Sequence, residues 1–205
     1  MRVSIPTPTD EPLPLSFTDA TAMPRGSLRP VAVAEFDQLL HELNPDAMRV
    51  TGERLEGLCH WLASLPPATA RDVLDRRLQR LEELRDMRQD EDWNLDDPTR
   101  QRLDKLLAYL DRDDDLIPDQ EPVLGKLDDV LLLELAWPAF VAEADEYRDF
   151  SEYRTTEHPA GNGHERRAAW VRDRLAEIAL WRHHLRVNDG HYADRGEPSR
   201  PFQIG

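Results

Sequence analysis

The chain has 205 residues, 40% of them hydrophobic, which is enough to close a substantial core in one domain or two small ones. Its 41 acidic side chains against 26 basic ones give a formal charge of −15, a field that repels phosphate backbones and anionic headgroups, so nucleic acid is not an expected partner and membrane contact is disfavoured. The single cysteine, Cys59, excludes an intramolecular disulfide and a secreted disulfide scaffold, as a reducing cytosol would require.

Residues 1–30 are proline-rich and aperiodic, an arm expected to be extended and to work through short motifs. Prolines 6, 8, 12 and 14 interrupt any apolar core of signal-peptide length, so no export signal is read there. From Val31 the spacing turns helical, with Phe36, Leu39, Leu40 and Leu43 on one side, and Asn44-Pro45 stops that helix and signals a restart. ERLEGLCHWLASL then aligns Leu55, Leu58, Cys59, Leu62 and Leu65, which makes Cys59 a core residue, and Pro66-Pro67 closes the segment. His60 beside it points about 100° away around the helix, so the two do not form a nucleophile and base pair.

Leu74, Leu78, Leu81 and Leu84 mark a strongly amphipathic third helix. After the loop DEDWNLDDPTR, Asp97 is the expected N-cap and Pro98 the first helical residue of a segment burying Leu103, Leu106, Leu107 and Leu110. An acidic junction, DDDLIPDQEPVLGKLDD, follows. Pro118 forces a turn, and Pro122 suits the first turn of a new helix. Asp119 and Glu121 would face the positive end of that helix, and Gly125 would permit close backbone approach. The run VLLLELAWPAFV, Val130 to Val141, is shorter than the roughly 20 residues a bilayer crossing needs and holds Glu134 and Pro138, so it reads as a buried central helix. HPAGNGHERR is a loop before a last long helix.

The junction resembles the hallmark of the YkvA-like family, a small bacterial helical domain of unknown function, whose pattern runs Y, a short spacer, then S-P-I-D-L-I-P-D-F-I-P-V-L-G-Y-L-D-D. Tyr109, Asp115, Leu116, Ile117, Pro118, Asp119, Pro122, Val123, Leu124, Gly125, Leu127, Asp128 and Asp129 match, within a resemblance spanning about Thr99 to Glu143. Arg112, Asp113 and Asp114 replace S-P-I, Gln120 and Glu121 replace F-I, and Lys126 replaces Y. Many family members look membrane-associated, and these polar replacements argue for a soluble version, with peripheral attachment at the inner membrane as the third choice. Only two lysines, Lys105 and Lys126, occur among the 26 basic residues, which suggests a GC-rich bacterial genome.

Two residue sets are candidates for function. Asp115, Asp119, Asp128 and Asp129 supply the oxygen ligands that magnesium, calcium or manganese would take; beyond such an ion no cofactor is expected. Caps, helix-terminus electrostatics and ion pairs with arginines of the leucine helix account for the same carboxylates without a metal. Trp170, Arg174, Glu177, Trp181 and His184 recur at three- and four-residue steps on the last helix, beside an apolar row at Val171, Leu175, Ile178 and Leu185, and would anchor a protein partner. No phosphate loop, dinucleotide fingerprint, nucleophile elbow or HExxH occurs, so no catalytic residue is assigned and the enzyme reading leans to no.

The expectation is therefore an all-α compact bundle of six to seven helices with a Pro/Gly-broken central hairpin. The arm covers 1–30, one helical domain 31–187 with its YkvA-like core at 99–144, and a loose tail 188–205. In function it is a cytoplasmic interaction or scaffold module, with a divalent-cation-binding domain, open to hydrolytic chemistry through such an ion, as the alternative.

Overall fold

A computed structural model of the chain describes residues 12–14, 28–112, 116–117 and 124–193, with side chains of the last helix described as far as Val187. The described residues form seven α-helices and one 3-10 turn, with no strand among them, so the chain is an all-α bundle. In order these are α1 (Pro30–Leu43), α2 (Gly52–Ser64), α3 (Pro67–Gln89), α4 (Asp97–Leu110), α5 (Leu127–Ala136), the 3-10 turn Trp137–Ala139, α6 (Val141–Glu157) and α7 (Gly163–Ala193). Contacts divide the chain into two compact units, Met1–Arg148 and Asp149–Gly205, the division falling inside α6.

In the first unit α5 is the central helix, packed by α1, α3 and α4, while α2 lies on α3 and α1 on α4. Its sequence is apolar on every side for that reason. Leu127, Val130, Leu131, Leu132 and Leu133 are all at most 1% exposed, each side chain of that size contributing about 1.5–3 kcal/mol by leaving water. Around them close Phe36, Leu40 and Leu43 of α1, Leu84 and Met87 of α3, and Leu103 and Leu106 of α4. Leu39, Leu65, Leu78 and Leu107 are only half-buried, at the edges of their apolar faces. Pro138 cannot donate an amide proton, and there α5 tightens into the 3-10 turn.

Proline and side-chain caps set the remaining boundaries. Pro66-Pro67 ends α2 and also opens α3, with Pro67 at a position whose amide would have no partner anyway. The restart after Asn44 comes at Gly52, where Thr51 caps the N–H of Arg54. Asn44 itself turns inward, its Nδ2 donating to the Leu135 carbonyl at 2.8 Å and pinning α1 to the end of α5.

Three expectations are corrected here. The cap of α4 is Asp96, whose Oδ1 accepts from Thr99 N at 2.7 Å; Asp97 is one residue too far in to reach that amide. α5 starts at Leu127 rather than at Pro122, because Leu124–Lys126 close a turn with Leu127 N bonded to Leu124 O at 2.9 Å. The acids in its first turn are Asp128 and Asp129; Asp119 and Glu121 lie outside the described residues. The last helix continues through Ala193, into the stretch expected to be loose from 188. The loop between α3 and α4 also contributes to the core, since Trp93 and Leu95 are buried within it, Trp93 donating to Glu143 Oε1 at 3.0 Å.

In the second unit the end of α6 and α7 form a helical pair. His158 takes a left-handed φ of 48° after α6, and Gly161 a φ of 103° before α7. Asn162 and Glu165 bond each other's backbone amides at 3.1 and 2.8 Å, a reciprocal capping box that starts α7.

Candidate functional site

Asp128 lies in the first turn of α5 and is fully buried, with its carboxylate drawing together three parts of the junction. Oδ2 accepts from the Tyr109 hydroxyl at 3.2 Å, from Leu116 N at 3.1 Å and from Ile117 N at 3.0 Å. The last turn of α4, the Leu116–Ile117 turn and the start of α5 are thus tied to one oxygen. Phe36 of α1 meets the Tyr109 ring edge-on at 5.8 Å, which fixes where the hydroxyl points.

All three donors are neutral. Ion pairing with arginines, one of the three structural roles expected for the four aspartates, is therefore not what holds this one. Burial strips water from the charged form and raises the Asp128 pKa above the usual carboxylate value; the Ile117 and Leu116 amides and the Tyr109 hydroxyl offset this only in part. Oδ1 is buried and has no hydrogen-bond partner among the described residues. The neighbouring Cys59 thiol is pushed up to about 11, first by burial and then by the Asp128 charge, so it is a packing thiol. His60 faces solvent.

Asp115, Pro118, Asp119, Pro122 and Val123 lie outside the described residues. No group of three or more histidine, cysteine, aspartate or glutamate side chains has metal-holding geometry among the described residues. No described helix is long and apolar enough to cross a membrane, and α5, whose exposure membrane attachment would need, has Leu131 only 1% exposed.

On α7 the proposed aromatic and charged stripe splits in two. Trp170 is 6% exposed, meets Phe150 edge-on at 5.7 Å and donates Nε1 to Asp149 Oδ2 at 3.0 Å. Arg174 lies over the Trp170 ring at 5.2 Å and pairs with Asp149 at 3.2 Å. Together with Glu177 they line an acidic cleft of about 550 Å³ between α6 and α7. Trp181, by contrast, is 58% exposed, and His184 is exposed against His183. The apolar row is open: Val171, Leu175 (61%), Ile178 and Leu185 are all exposed. They are spaced by four, three and seven residues with Arg182 at the intermediate step, which is the seam of a heptad repeat.

Sequence reading missed one constellation altogether. Leu13 in the arm is 3% exposed, and its amide donates to Glu134 Oε1 at 2.6 Å. Glu134 Oε2 accepts in turn from Arg77 Nε at 2.7 Å, and Arg77 also donates from Nη1 to the Val73 carbonyl at 3.0 Å. Two signals pointed there: Glu134 is the lone acid in the greasy run, and Leu13 is an apolar residue set between two prolines. Comparison with family models, with curated proteins and with solved structures finds no match to this chain.

Proposed function

We propose that the protein is a non-catalytic helical interaction module of the bacterial cytosol, built on a YkvA-like core at 99–143, and that it engages a partner helix through α7. The observation carrying this reading is the exposed row Val171, Leu175, Ile178 and Leu185. A heptad seam left in water is costly for a protein on its own and is the geometry a second helix fills. Arg172, Arg182 and Arg186 flank or interrupt the row and are exposed, so a second copy would set arginine against arginine, whereas a helix with acidic flanks would pair with them. Trp170, Arg174 and Glu177 serve the pairing of α7 with α6, and the partner anchors become Trp181 and the row beside it. Capture of interacting proteins with tagged chain tests this: a partner recovered by the unmodified chain is lost with Leu175→Asp/Ile178→Asp. Equal recovery with both would reject the reading.

A second reading, binding of magnesium, calcium or manganese by Asp128 with Asp115, Asp119 and Asp129, is favoured by one observation, the Asp128 Oδ1 that is buried without a described partner. A cation that binds only the folded state raises the melting temperature, and Asp128→Asn should cancel the rise. No shift with any of the three ions would dispose of it.

A further inference from the structure

We propose that the surface around Glu134 is a peptide-binding site, filled in this chain by its own Pro12-Leu13-Pro14, and that it accepts the same motif, a leucine between two prolines, from a separate polypeptide. This rests on contacts within the first unit and is independent of the reading of α7.

Proline has no amide proton, so Leu13 carries the only N–H of the tripeptide. That one donor goes to Glu134 Oε1 at 2.6 Å. The acceptor is held from behind, because Arg77 donates Nε to the other carboxylate oxygen at 2.7 Å and is itself anchored on the Val73 carbonyl. A carboxylate aimed in this way gives a short, charge-assisted bond. The Leu13 side chain supplies the second element of recognition, being 3% exposed although the segment it belongs to precedes the first helix. Pro12 and Pro14 have φ fixed by their rings, so the backbone loses little freedom on binding, as in the recognition of proline-rich peptides generally.

Each of these features lies within three residues. One amide, one leucine and two locked dihedrals make the contact, and none of them depends on the covalent link to the rest of the chain. Residues 15–29 make the contact intramolecular, so a free peptide competes against an effective concentration on the order of millimolar. The site would therefore read as closed in the unmodified chain and open once Leu13 is removed.

The probe is a fluorescein-labelled heptapeptide with the sequence of residues 10–16, DEPLPLS, followed by fluorescence anisotropy. Full-length chain carrying Leu13→Ser should bind it saturably, and the unmodified chain at least about tenfold more weakly. Adding Glu134→Ala to Leu13→Ser, or methylating the nitrogen of the peptide's leucine at position 13, should abolish binding. Absence of binding to Leu13→Ser chain with unchanged helicity and melting would overturn the proposal, as would equal binding of the N-methylated peptide. Should Leu13→Ser not fold, excess peptide is added to unmodified, isotope-labelled chain. Displacement moves the Leu13 amide resonance, the N-methylated peptide leaves it in place, and a resonance that ignores the unmethylated peptide overturns the proposal equally.

Discussion

Asp128 is the residue on which the junction turns, and its energetics run in two directions. Truncation by Asp128→Ala would leave the Leu116 and Ile117 amides and the Tyr109 hydroxyl without their acceptor. Losses of this kind reach about 1–3 kcal/mol for each buried group, so a total of about 3 kcal/mol or more is expected, read as a drop in Tm of roughly 6–12 °C. Asp128→Asn keeps a carbonyl oxygen for the donors and costs less. The pH dependence separates the charge from the bonds. With its folded pKa raised above the unfolded value, the carboxyl group's contribution is fully present below the ordinary carboxylate pKa and is lost as pH rises through the folded one. Unmodified chain should therefore gain on the Asp128→Asn variant as pH falls from neutrality toward 4, in thermal melts at matched ionic strength. A constant difference between the two would mean that the carboxyl group does not change its protonation on folding.

At the level of the helix, boundaries depend on a few side chains whose positions the sequence only brackets. Asp96→Ala removes the acceptor for Thr99 N and is expected to lower Tm by roughly 2–4 °C, while Asp97→Ala, one residue later and outside the bond, should change it little. Gly161→Ala places a Cβ against the Glu165 carboxylate at a φ of 103°, costing about 1–3 kcal/mol and opening the box that starts α7. Circular dichroism at 222 nm during melting reads both. The apolar faces of α1 to α4 were legible because leucine spacing of three and four follows directly from helix geometry. The cap at Asp96 was not, since Asp96-Asp97-Pro98 offers two carboxylates one residue apart and only backbone direction selects between them. Burial of Trp93 and Leu95 was illegible for a related reason: a seven-residue loop has no period, so its inward side chains cannot be told from its outward ones. In the acidic junction, a carboxylate among aspartates suggested cations, helix caps and arginines, whereas Asp128 is held by the Tyr109 hydroxyl and by two backbone amides, which carry no mark in sequence.

Across the whole molecule, apolar residues divide into those that complete a core and those that α7 carries outward, and a matched pair of substitutions separates the two. Leu132 is fully buried at the centre of the first unit, whereas Leu175 is 61% exposed and Ile178 shares its row. Leu132→Asp would bury an unpaired carboxylate among helices that cannot rehydrate it, and the chain should fail to fold cooperatively. The double change Leu175→Asp/Ile178→Asp exchanges exposed carbon for exposed charge and should alter unfolding free energy by no more than about 0.5 kcal/mol per site, read in urea titration. The same double variant should be more soluble than the unmodified chain, because it removes the two central members of an exposed apolar row. The competing outcome is distinct. If the double change destabilises as a core change does, the row on α7 is covered by the protein's own helices in solution, and the interaction surface has to be sought instead around Glu134, where Leu13 already rests.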